Sequence, residues 1–199
     1  MSRSTVAVYC SGSIQKGSLD SGKLAWTDAE RNRIRIGAAP LHVLFFDPSE
    51  TCERLGDTVA MFGRDMAQVR LADFVVIDAR ERRGLGVGVE ILASRVFRTP
   101  LVVVAPRNTH YRRDELEYRG ARVLDYIHPH VAVLADAIVD SFEAAGQWIH
   151  EHWAHPTHIK DAHVLKEAIE TYRARAMPDD EGMLTVLTQL REAGGDVLD

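Results

Sequence analysis

Residues 72–90 read ADFVVIDARERRGLGVGVE: an apolar run, a charged turn, three alternating glycines and one carboxylate. The run 73–78 is continuous rather than alternating, the pattern of a strand buried on both faces of a parallel sheet. Gly84, Gly86 and Gly88 strip side chains from the point where the chain leaves that strand. A ligand can then approach main-chain N–H groups at the start of the next helix. Glu90 is expected in the first turn of that helix, near the positive end of the dipole. A carboxylate there stays ionised, ready to act as a nucleophile or to accept from a sugar hydroxyl.

Working outward, comparable β-branched runs occur at 5–10, 41–46 and 101–105, with a weaker one at 122–126. Each pair is separated by enough residues for a crossover. The expected fold is therefore α/β, a doubly wound (Rossmann- or flavodoxin-like) five-stranded parallel sheet over residues 1–128 with a C-terminal helical extension over 129–199. Sheets of this type bind ligands beyond the carboxyl ends of their strands where strand order reverses, which brings residues 11–17 beside 84–90. A helix is predicted over 57–70. Residues 19–39 read as a flap leading into a short helix from about Thr27, either a cover over a ligand or a variable connection. Beyond His130 the strand signals stop. Val131, Leu134, Ile138, Phe142, Trp148 and Ile149 recur at helical spacing, predicting one long helix to about Trp153. Two more follow over 161–176 and 179–193, the last closed by Gly194 and Gly195. These helices extend the core or bury a partner subunit.

With 199 residues, 46% hydrophobic and 27% charged, the chain has the composition of a globular protein with a substantial core. Its formal charge of −5 argues against a protein that grips a nucleic acid polymer. No apolar run is long enough to span a bilayer, so no membrane is expected. Residues 1–10 run straight into a strand pattern rather than a cleavable signal, and the cytoplasm is the expected compartment. Cys10 and Cys52 lack metal-ligand spacing and read as reduced thiols. His150, His152, His155 and His158 cluster but fit no common metal spacing, and Trp148 and Trp153 read as packing residues. Neither a metal nor a cofactor is called for. The run 80–83, RERR, reads as a solvated turn more readily than as a substrate-facing patch.

The loop after the first strand offers hydroxyls, glycines, an amide and an ammonium in a short arc: Ser11, Gly12, Ser13, Ile14, Gln15 and Lys16, following Tyr9. Such a set can hold a phosphate or a sugar, Gly12 admitting the backbone and Lys16 supplying charge. Asp65 falls on the 57–70 helix, where a lone aspartate is ordinarily solvated or capping. It gains meaning only if it pairs with Glu90 across a site. Two carboxylates near one glycosidic carbon allow one to attack or stabilise an oxocarbenium-like centre while the other handles the proton.

Two segments carry a family resemblance. YCSGSIQKG, 9–17, resembles the Tyr-x-x-Gly-Ser-Ile-Arg-Gly loop of the 2′-deoxynucleoside 5′-phosphate N-hydrolases and the related nucleoside 2-deoxyribosyltransferases. RDMAQVRLADFVVIDARERRGLGVGVE, 64–90, resembles their Asp…Ala-Asp-Val-Val…Ser-Leu-Gly-Val-Gly-Tyr-Glu block, and the spacing from aspartate to glutamate agrees. HVLFFDP, 42–48, is similar too, so the likeness spans roughly residues 5–105. The resemblance implies Glu90 as the carboxylate at the anomeric carbon, Asp65 as the assisting acid and Tyr9 as an orienting group. It also implies that Gly12, Ser13 and Ile14 line the pocket and that Gly86 and Gly88 point main-chain donors toward the 5′ end. Gln15, with Lys16 beside it, stands where the family has its phosphate-binding arginine. Gly84 stands where the hydrolases carry serine and the transferases aspartate. In the family a neighbouring subunit completes the site, which makes Asn108, His110 and Tyr111 candidates, with Arg112 or Arg113 as a replacement charge. The expected activity is hydrolysis of the N-glycosidic bond of a nucleoside or its 5′-monophosphate. The alternatives are transfer of the sugar to another base and a non-catalytic nucleotide-binding module. A homodimer with shared sites is expected.

Overall fold

The computed structural model describes residues 4–12, 25–49, 57–118, 120–155 and 159–194. The chain divides into two compact units, Met1–Asp161 and Ala162–Asp199. The first carries a five-stranded parallel sheet in the order β2-β1-β3-β4-β7, built from β1 (Thr5–Ser11), β2 (His42–Phe46), β3 (Phe74–Asp78), β4 (Leu101–Val104) and β7 (Ala137–Val139). Its helices are α1 (Asp28–Ala38), α2 (Thr58–Leu71), α3 (Leu85–Phe97), α4 (Pro129–Leu134) and α5 (Phe142–His152). The expected doubly wound fold is present. Helices α1 and α5 pack together on one face of the sheet and α2, α3 and α4 on the other.

Local chemistry sets the helix starts. Thr27 forms a capping box with Glu30, and the side chains of Asp57 and Ser141 accept from the N–H groups of Ala60 and Ala144. Successive β1 residues point to opposite faces. Val6, Val8 and Cys10 pack with Ile34, Phe142 and Ile149 under α1 and α5. Tyr9 and Ser11 face α3 instead. Glycines let α1 and α5 touch backbone to backbone: a Cβ at Gly37 would stand 2.0 Å from the Glu143 carbonyl oxygen, and one at Gly146 2.2 Å from that of Ile34. Trp148 and Trp153 pack against Phe74, as expected, and Trp26 is buried against Phe142.

Two expectations are corrected. Residues 122–126 do not form the fifth sheet strand; they lie in β6 (Ala121–Ile127), which pairs antiparallel with β5 (Arg112–Tyr118) in a separate two-stranded hairpin. A central parallel strand is apolar on both faces, and Arg122 and Asp125 forbid that. The fifth strand is β7, inside the stretch expected to be one long helix. Val131, Leu134, Ile138 and Phe142 are spaced like a helix stripe although they belong to α4, β7 and α5 in turn. Strand β7 pairs with β4, so residues beyond 128 complete the sheet.

A buried ion pair locks the opposite end of the sheet from the glycine loop. Arg95 meets both carboxylate oxygens of Asp136, at 2.7 and 2.9 Å, and Asp136 also accepts from the N–H groups of Leu101 and Lys160.

The second unit holds α6 (His163–Arg175) and α7 (Glu181–Glu192), joined by a 3-10 turn at Met177–Asp179. Both helices fall close to their expected spans. Asp180 caps α7 at the Met183 N–H and accepts from the Tyr172 hydroxyl. No residue of either helix is buried.

Candidate active site

Strand order reverses between β1 and β3, and the residues of interest converge there. Tyr9 and Ser11, two apart on β1, present their hydroxyls on the same face. Glu90 reaches them from α3: the Tyr9 hydroxyl donates to Oε1 at 2.9 Å and the Ser11 hydroxyl donates to Oε2. Tyr9 and Ser11 are fully buried, and Glu90 is 9% exposed. A carboxylate so withdrawn from water is held by hydrogen-bond donors, one at each oxygen, which fixes its plane. Glu90 lies in the second turn of α3, not the first, because the helix begins at Leu85. The dipole fades within one turn, so the two hydroxyls, not the helix end, orient this group.

Burial, followed by the charge and hydrogen bond of Glu90 and then the charge of Asp65, pushes the Tyr9 phenol well above its ordinary range. Tyr9 therefore stays protonated and acts only as a donor. The same effect shows that Asp65, on α2, stands close enough to act on Tyr9, with Arg64 opposing it. Asp65 is 36% exposed and 3.8 Å from the Arg64 guanidinium. Tyr9, Ser11 and Glu90 thus form one buried hydrogen-bonded cluster between β1 and α3, with the Asp65 charge acting on its phenol.

Gly12 is confined: a Cβ there would stand 3.1 Å from the Trp26 indole nitrogen and 3.6 Å from Asp78 Cβ. At Gly84, Gly86 and Gly88 a Cβ would meet nothing within 4 Å, so the backbone at the start of α3 is open to solvent. No side chain caps this helix at Gly84. Ser13, Ile14, Gln15 and Lys16, like Cys52 and His158, lie outside the described residues.

The other candidates fall elsewhere. Asn108 adopts a positive φ of 61° and bonds Asp114 within the β5–β6 hairpin. Arg112 pairs with Asp140, and Arg113 donates to the Thr109 carbonyl. Gly84, Gly88, His110 and Tyr111 line a separate cavity on the far flank of α3. The RERR run is not simply a solvated turn. Arg80 and Arg83 fold onto the buried Asp78, and Arg80 also reaches Glu30 and lies over the Phe142 ring. This lock at the end of β3 was invisible in the sequence, where it read as an ordinary charge run. His152 stacks on Trp148 and bonds its carbonyl. Among the described residues no group of three or more His, Cys, Asp or Glu side chains is placed to hold a metal ion, and no helix is long and apolar enough to cross a membrane.

Compared with models of known protein families and with curated proteins, the chain matches none.

Proposed function

We propose that this chain is an N-glycosidase acting on a nucleoside or nucleoside 5′-monophosphate, with Glu90 at the anomeric carbon and water as acceptor. The observation that carries this reading is the buried Glu90 carboxylate, held at both oxygens by Tyr9 and Ser11, with the Asp65 charge acting on the same phenol. As the C–N bond breaks, the base leaves with the bonding pair and takes a proton, for which Asp65 is the donor. Glu90 stabilises the oxocarbenium-like sugar or bonds to it, and water then completes the hydrolysis.

The test is a chromatographic screen of the protein against ribo- and deoxyribonucleosides and their 5′-monophosphates, with and without an added acceptor base, beside Glu90→Gln. Free base from wild type alone supports hydrolysis. A new nucleoside that forms only with the acceptor base supports the transferase. No product in any arm favours a binding module.

The proposal includes a homodimer. Helix α3 is apolar outward as well as inward, with Leu85, Val89, Leu92 and Val96 on its exposed face and Leu85 88% exposed. Val59 and Phe62 of α2 are exposed on the same side of the sheet. A helix apolar all round buries its outer face against something, and a second copy is the occupant proposed.

A further inference from the structure

On the flank of α3 away from Glu90, a cavity of about 310 Å³ opens between the helix start, α4 and the foot of the β5–β6 hairpin. Its floor is apolar, formed by Ile77, Val87, Ile91, Val131 and Leu134. Its walls are rings. The His110 and Tyr111 rings are 4.9 Å apart at 87°, His128 lies 5.4 Å from Tyr111, and His130 lies 5.0 Å from His128. The Tyr111 hydroxyl accepts from the Arg83 N–H at 2.8 Å, and the His128 N–H donates to the Tyr111 carbonyl, so this wall is tied to the loop before α3.

Three properties point to a ligand. None of the residues lining the cavity is Asp or Glu. Whereas Arg80 and Arg83 are bound to Asp78, Arg82 stands exposed at the rim. The His110, Tyr111 and His128 rings stand edge to face around an apolar floor, a wall that fits the flat side of a ring.

We propose that this cavity is a second small-molecule site, distinct from the Glu90 cluster, for a planar apolar ring bearing one anionic group. The apolar floor and ring walls take the ring, and the guanidinium and imidazoles take the charge. The volume is at the small end for ligand pockets, which limits the guest to about one ring and its anion. The groups facing His128 are His110 and Tyr111 from the hairpin foot, His130 from α4, and Arg82 and Arg83 from the loop before α3; none is a carboxylate. Protonating His128 adds only positive charge, so affinity for an anion rises as pH falls. The site does not depend on the N-glycosidase reading.

The experiment is calorimetric titration of the full chain with phenyl phosphate and with benzoate, beside inorganic phosphate and phenol. The expected result is saturable binding of at least one ring-bearing anion, at least tenfold tighter than either fragment and tighter at pH 6 than at pH 8. It should weaken at least tenfold in Arg82→Ala and His128→Phe and stay unchanged in Glu90→Gln and Ser11→Ala. His130→Gln repeats the test if His128→Phe does not fold. Binding lost in Glu90→Gln or Ser11→Ala but kept in the Arg82 and histidine variants would assign the ligand to the Glu90 cluster and overturn the proposal. Absence of saturable binding by either anion, or binding no tighter than that of the fragments, overturns it too.

Discussion

Glu90 is fixed by two hydroxyls on one strand, and each contributes something different. Under the proposed N-glycosidase reading, Glu90→Gln removes the charge at the anomeric carbon and should lower turnover on the order of 10³-fold while leaving the fold intact. That is read as kcat on whichever substrate the screen identifies, with circular dichroism as the control. Tyr9→Phe keeps the ring in the core but takes away one donor. The expected loss is about tenfold in kcat, with KM nearly unchanged, since the phenol orients Glu90 rather than the substrate. At the cavity, burial first, and then His130 and His110, hold the His128 imidazole below the usual histidine range. The unfolded chain therefore binds a proton more readily there. Stability is full above the unfolded histidine value of about 6.5 and falls as pH drops through it toward the lower folded value. Denaturant melts from pH 8 to pH 5 should show this decline, smaller in His128→Phe; an identical decline in the variant would remove His128 as its source.

At the scale of elements, the molecule rests on close backbone approach and on buried charge pairs. Gly146→Ala drives a Cβ into the Ile34 carbonyl and forces α1 and α5 apart. The expected cost is about 1–3 kcal/mol, measured as a lowered thermal midpoint, whereas Gly63→Ala in α2, with open space around it, should cost nothing or stabilise slightly. Asp136→Ala leaves Arg95 buried and unpaired and frees the Leu101 and Lys160 N–H groups. That should cost about 3–5 kcal/mol in chemical denaturation. On the outer face of α3, Leu92→Glu with Val96→Glu should convert a dimer to a chain of 22.2 kDa in sedimentation without loss of helix content. Wild type sedimenting at the single-chain mass would remove the dimer from the proposal.

Across the whole molecule, the sequence determined the sheet's first four strands and the helices between them. Continuous apolar runs and capping residues are local signals, and Thr27, Asp57 and Gly84 each stand one residue before a helix. Glu90, Tyr9, Ser11 and Asp65 were singled out in the sequence, where the switch-point rule sets the end of β1 beside the start of α3; that Tyr9 and Ser11 hold Glu90 came only from the structure. Tertiary structure decided the rest. Three residues, 137–139, carry too short a pattern to separate a strand from a helix stripe, and only the open edge of β4 makes them a strand. Whether RERR is solvent or lock depends on Asp78 lying buried within reach, a distance no local pattern encodes. His110, Tyr111, His128 and His130 become one wall only because the hairpin folds its two ends together. Local sequence sets periodicity and capping; the partners of a charge, and the company a ring keeps, are fixed by contacts between residues far apart in the chain.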